Sequence, residues 1–258
     1  MLAAEWTVTA ATALAAVAGV FVAAGVVKGV IGLGLPTVSM ALLALWMAPV
    51  EAAALLIVPS LVTNLWQIRP WSSVPAMWCR IAGMQVGVCV GTWAGALLFG
   101  ATAGAWASML LGVALMVYAA WGLLGRSFVI APRHERWLGP LVGVVTGLVT
   151  AVTGVFVVPA VAYLQALGLQ RDALVQAMGI SFTTSTVALA VALVFDMGHG
   201  GSYSAMTLAL SVAMLLPALV GMVAGQWLRE RLSPALFRRW FLIGLGLLGA
   251  CMAARAAY

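Results

Sequence analysis

Charge is what this chain has least of. Lysine and arginine number 12 and aspartate and glutamate 6 in 258 residues, 7% together, against 65% hydrophobic residues. A soluble domain keeps about a quarter of its residues charged, because its surface must stay hydrated. So little charge excludes a soluble globule and leaves lipid as the medium for the surplus apolar surface. The formal net charge of +6 sits in short clusters rather than on one basic face. It therefore marks cytoplasmic loops and excludes nucleic acid as a partner.

Catalytic and metal-binding residue types are equally scarce. There are two histidines, no His-Glu-x-x-His and no phosphate-binding glycine loop. Metal-assisted, Ser/His or nucleotide-dependent chemistry has nothing to build on. Gly179-Ile-Ser181 lacks the following glycine of a nucleophile elbow. The chain is read as a non-enzyme with no cofactor and no metal site. Cys79, Cys89 and Cys251 have no metal spacing and read as small buried hydrophobes. Glu5 precedes the first apolar run and no lysine or arginine does, so the basic start of a signal peptide is missing and Val8 onward is taken as mature chain.

What is present is a series of apolar blocks, at about 8–48, 51–68, 82–99, 104–124, 139–168, 173–195, 204–228 and 236–254. A spanning helix needs about 20 apolar residues. Six blocks fit one crossing each, whereas 8–48 and 139–168 are too long. Both are interrupted by glycine and proline, at Gly29–Pro36 and from Gly147 through Gly154 to Pro159. The expected fold is an all-α polytopic membrane protein.

The two long blocks hold matching places. Gly25-Val-Val-Lys-Gly29 matches Gly143-Val-Val-Thr-Gly147, and Gly34 matches Gly154. Val90-Gly91 through Gly95 matches Val220-Gly221 through Gly225, and Trp106 with Gly112 matches Trp240 with Gly246. Their common order predicts two repeats, 1–125 and 139–258, joined by a cytoplasmic linker at 126–138. Each repeat is a broken segment, as a hairpin or two half-helices, followed by three spanning helices.

Loop charge gives the orientation. Arg69 and Arg80, then Arg126, Arg133 and Arg136, then Arg229, Arg231, Arg238 and Arg239 mark three cytoplasmic connections. The uncharged 100–104 and the 196–203 loop, with Asp196 and His199, face out. These assignments agree only if each long block crosses as a broken pair, which makes the repeats inverted.

Broken segments at matching places point to a transporter's binding site. Backbone groups freed by a break persist only against protein or a watery cavity, and half-helix N-termini suit an anion. Lys28, the only lysine, stands at the first break with Gly32 and Gly34, and Thr146 is its partner in the other half. An intramembrane charge is a functional candidate. Thr150, Thr153 and Gly154 accompany the second break. Behind the breaks run two polar stripes: Ser60, Thr63, Asn64 and Gln67, and Ser181 with Thr183 to Thr186. Asn64 and Thr184 are the preferred facing pair. The bland reading of such residues is glue between helices, and that of Glu51 and Asp196 is interfacial. Arg171-Asp172 reads as a turn or cap. Trp46, Trp66, Trp71, Trp78 and Trp227 read as interfacial anchors.

The run from Gly25 to Gly34, with its echo from Gly143 to Gly154 and the following Pro159, resembles the TauE/SafE family of sulfite and organosulfur-anion exporters. The resemblance extends over essentially the whole chain. It departs in having no Gly-Gly pair in either motif and a proline directly after Gly34-Leu35. It implies secondary transport of a small anion, such as sulfite or sulfoacetate, across a bacterial inner membrane. The partners implied are that anion, the bilayer, a coupling ion (proton or sodium) and, as an open alternative, a second copy of the chain. The competing classes are a non-transporting membrane subunit or assembly factor, and a passive anion channel.

Overall fold

The computed structural model describes residues 2–99, 105–124, 129–196 and 205–257. The expected connections at 100–104 and 197–203, with His199, lie outside the described residues, as do Arg126 and the side chains of Glu5 and Asp196. Among the described residues the structure is all helix: α1 Leu2–Ile31, α2 Leu35–Leu43, α3 Pro49–Gln67, α4 Val74–Phe99, α5 Ala105–Leu124, α6 Pro132–Thr153, α7 Ala160–Ala166, α8 Arg171–Asp196, α9 Ala205–Arg229 and α10 Pro234–Ala257. Eight of these are long and apolar enough to cross a bilayer; α2 and α7 are not. The chain is a multi-pass membrane protein.

Each over-long block is one long helix followed by one short one. Gly32 (φ 76) ends α1 and Gly154 (φ 67) caps α6, conformations that a side chain with a Cβ seldom adopts. Gly32 N–H bonds the Lys28 carbonyl and Gly154 N–H the Thr150 carbonyl, both at 2.8 Å. Pro36 and Pro49 stand in the first turns of α2 and α3, where a missing N–H costs nothing.

The short helices carry the chain back across. The end of α1 lies beside the end of α3, because Gln67 Nε2 donates to the Gly32 carbonyl at 2.7 Å. At 1.5 Å per residue, the 19-residue α3 starts about 28 Å away, so residues 33–48 cover that distance. Likewise Gly154 lies against Met40 and Ala53, near the start of α3. Ala166 at the end of α7 accepts a hydrogen bond from Ile130 N–H, just before α6. The 155–170 segment therefore returns the chain to the face from which α6 set out.

Glycine stripes decide which helices touch. A Cβ on Gly25 would overlap the backbone of Ala218, Gly221 and Met222, and one on Gly29 that of Met222, Gly225 and Gln226. Thus α1 and α9 run parallel in close contact. The same holds for α6 on α4: Gly143 meets Met84 and Gly87, and Gly147 meets Val88, Gly91 and Thr92. Such small-residue seams let backbones approach where no hydrophobic effect drives helices together. The antiparallel pair α5 and α10 closes through Gly112 and Gly249. A fourth packing pair is α3 with α8.

Several sequence expectations need correction. The α4 glycines set against Gly143 and Gly147 are Gly87 and Gly91, one turn before the pair matched in the sequence. Helix α6 begins at Pro132, inside the segment assigned to the linker, so His134 lies in its first turn rather than in a loop. Proline at that first position makes the polar stretch a helix start. Cys79 and Cys251 are exposed on the outside of the bundle rather than buried, since that outside is itself an apolar medium. Leu97 (88% exposed), Leu98 and Leu247 share that surface. The five tryptophans expected as anchors are all exposed.

Candidate functional site

Lys28 lies in the last turn of α1 and is buried, with 3% exposure. Its Nζ donates to Asn64 Oδ1 on α3. The Asn64 amide in turn donates to Thr186 Oγ1 on α8 at 3.4 Å, and Thr186 passes its own proton to the Phe182 carbonyl at 2.7 Å. Three helices far apart in sequence are thus tied by one chain of hydrogen bonds. Among the described residues no carboxylate joins it. The one salt bridge among the described residues, Arg80 with Glu135 at 2.8 Å, joins α4 to the start of α6.

Lys28 borders a cavity of about 480 Å³. Gln67, Gln226 and four arginines, Arg69, Arg171, Arg229 and Arg238, line the same space, and among the described residues no acid does. They come from the ends of α3 and α9, the loop after α3, the first turn of α8 and the second turn of α10. Arg69 is held over the Trp66 ring, 4.4 Å from its centroid. A buried ammonium without a counter-charge is costly in a membrane interior. An anion in this cavity would supply the missing charge, with arginine forks suited to an oxyanion.

The structure brings Lys28, Gly32 and Asn64 together, with Gln67 between the break and the pocket. It does not bring the other expected residues to that cavity. Gly34 (φ 118) caps α2 against Val27. Thr63, Thr146, Thr150 and Thr153 each spend their proton on a carbonyl of their own helix, at 2.7 Å. Thr153 also accepts from Val155 N–H at 3.2 Å, holding the start of the second break. Gly154 packs at the far end of α6 against Met40. Thr184 bonds the Ile180 carbonyl and lines a separate outer cleft with Trp71 and Trp78. Its expected place beside Asn64 is taken by Thr186. Two residues along an α-helix is a rotation of about 200°, enough to move a side chain from core to periphery.

The N-terminal turns of α2 and α7 do not line the cavity either, so side-chain charge and not a half-helix end gives it its sign. The arginines were visible in the sequence only as loop charge, and Arg171 only as a cap. Their clustering depends on tertiary contacts that no sequence spacing encodes. Gln226, a polar residue directly after Gly225 near the end of α9, carried the available signal.

The described residues thus form a multi-pass membrane bundle with a basic pocket beside a buried lysine. The model of the family described as "Sulfite exporter TauE/SafE" matches residues 16–252, and the chain belongs to that family, one of membrane transporters. No curated protein and no solved structure matches it.

Proposed function

We propose that the chain is a secondary transporter of a small oxyanion, sulfite or an organosulfonate such as sulfoacetate, working by alternating access between two inverted repeats. The observation that carries this reading is Lys28: buried, bonded to an amide rather than a carboxylate, on the wall of a cavity that four arginines line. The arginines gather the anion and Lys28 with Asn64 holds it. Arg69, Arg229 and Arg238 belong to connections that the positive-inside rule makes cytoplasmic, so this pocket is the cytoplasmic mouth.

Helix pairing supports the inverted repeats. Gly25 and Gly29 on α9 mirror Gly143 and Gly147 on α4, and α3 packs on its own counterpart α8. The two breaks fall at opposite ends of the bundle, Gly32 beside Gln67 and Gly154 beside Ala53, as inversion requires. Net movement against a gradient draws on a coupling ion.

The test is flux of radiolabelled sulfite in proteoliposomes, with sulfoacetate, sulfate and chloride as competitors. Saturable flux, with sulfite and sulfoacetate competing better than chloride, is expected. Flux that rises linearly with concentration and ignores competitors would describe a passive channel, and no flux at all a non-transporting subunit.

A further inference from the structure

Among the described residues, five of the nine buried side-chain polar atoms without a hydrogen-bond partner lie on α4 and α8: both amide atoms of Gln85, and the hydroxyls of Thr92, Ser181 and Ser185. All four residues are at most 2% exposed. Buried polar groups in a protein are ordinarily paired, and each exception calls for a cause. Thr146, Thr150 and Thr186 nearby show the ordinary solution, donating to a carbonyl one turn back. Thr92, Ser181 and Ser185 do not, so their protons are unspent.

The four are arranged, not scattered. Ser181 and Ser185 are one turn apart on one face of α8, and Gln85 and Thr92 two turns apart on one face of α4. The two helices pack on each other, and Trp93 Nε1 donates to the Ala188 carbonyl at 3.2 Å across the seam. Thr92 also has a counterpart in the basic pocket. It follows Gly91, which meets Gly147 on α6; Gln226 follows Gly225, which meets Gly29 on α1 and so stands beside Lys28. Thr92 is therefore to α6 what Gln226 is to α1. The basic pocket is a cavity of about 480 Å³, whereas Gln85, Thr92, Ser181 and Ser185 are buried.

We propose that Gln85, Thr92, Ser181 and Ser185 form a second station for the same small oxyanion, reached when the opposite face opens. This rests on the transporter reading above. The station offers neutral donors only, three hydroxyls and one amide. Neutral hydrogen bonds are about half as strong as charge-assisted ones, so the anion is held more loosely here than at Lys28. Loading is tight at the basic face and release is easy at the other.

The experiment measures half-saturation for radiolabelled sulfite from each face, using right-side-out and inside-out membrane vesicles. The chains compared are the wild type, Ser185→Ala, Ser181→Ala, and Thr92→Val with Ser185→Ala. Two lost hydroxyls should raise half-saturation from the neutral face about tenfold and leave the basic face within about twofold. Thr92→Ser, which keeps the hydroxyl, should behave as wild type, and the single serine variants keep the test alive if the double variant does not fold. Equal half-saturations in wild type and variants, or an equal rise at both faces, would overturn the station while leaving the transporter reading in place. A wild type with no saturable flux from either face would remove the transporter reading and the station with it.

Discussion

Adding one methyl group at Gly147 should push α6 and α4 apart. A Cβ there would stand 2.8 Å from the Gly91 carbonyl carbon and also overlap the Val88 and Thr92 backbone. Ordinary carbon contacts are about 3.5–4.0 Å, so α6 must retreat from α4 by about 1 Å. No side chain can swing aside, because every obstructing atom is backbone. Overpacking of this kind costs about 1–3 kcal/mol, and alanine's better helix propensity returns roughly 0.5–1 kcal/mol. A net loss of about 1 kcal/mol would lower the melting temperature by about 2–4 °C. The assay is thermal unfolding of the detergent-purified protein, followed by the recovered monodisperse fraction after heating. Gly19→Ala and Gly244→Ala are the controls, since a Cβ at either meets nothing within 4 Å. If Gly147→Ala melted together with Gly19→Ala, the glycine seams would not be holding the bundle.

Other outcomes follow from the pocket and the core. Arg238→Gln and Arg171→Gln should each raise half-saturation for sulfite about threefold at low salt, and the difference should shrink as salt screens these partly exposed charges; a salt-independent effect would place them outside electrostatic capture. Phe156 and Phe182 are fully buried with ring centroids 5.3 Å apart, so Phe182→Ala should cost about 3–5 kcal/mol in thermal unfolding. A loss below about 1 kcal/mol would mean that the pair is not packed as described.

The membrane character and both chain breaks were legible in the sequence, because long apolar blocks and positive-φ glycines leave marks that need no tertiary information. Lys28 and Asn64 were legible for a similar reason: a lone lysine and an asparagine inside apolar blocks stand out by rarity. Register was harder. Stripes of glycine, alanine and valine look alike when shifted by one turn, which is why Gly95 stood in for Gly87 and why Thr184, not Thr186, was matched to Asn64. The arginine ring was hidden for a different reason. Arg69, Arg171, Arg229 and Arg238 belong to four separate connections or helix ends, and only packing of α1, α3, α8, α9 and α10 around one space makes them neighbours. Loop charge that orients a membrane protein looks the same in sequence as loop charge that captures an anion.

The most direct test of the central claim compares sulfite flux through wild type, Lys28→Arg and Lys28→Ala in proteoliposomes of equal protein content. An anion site built on Lys28 predicts saturable wild-type flux, a reduced rate with Lys28→Arg, and flux at the protein-free background with Lys28→Ala. Unaltered flux in Lys28→Ala would contradict it.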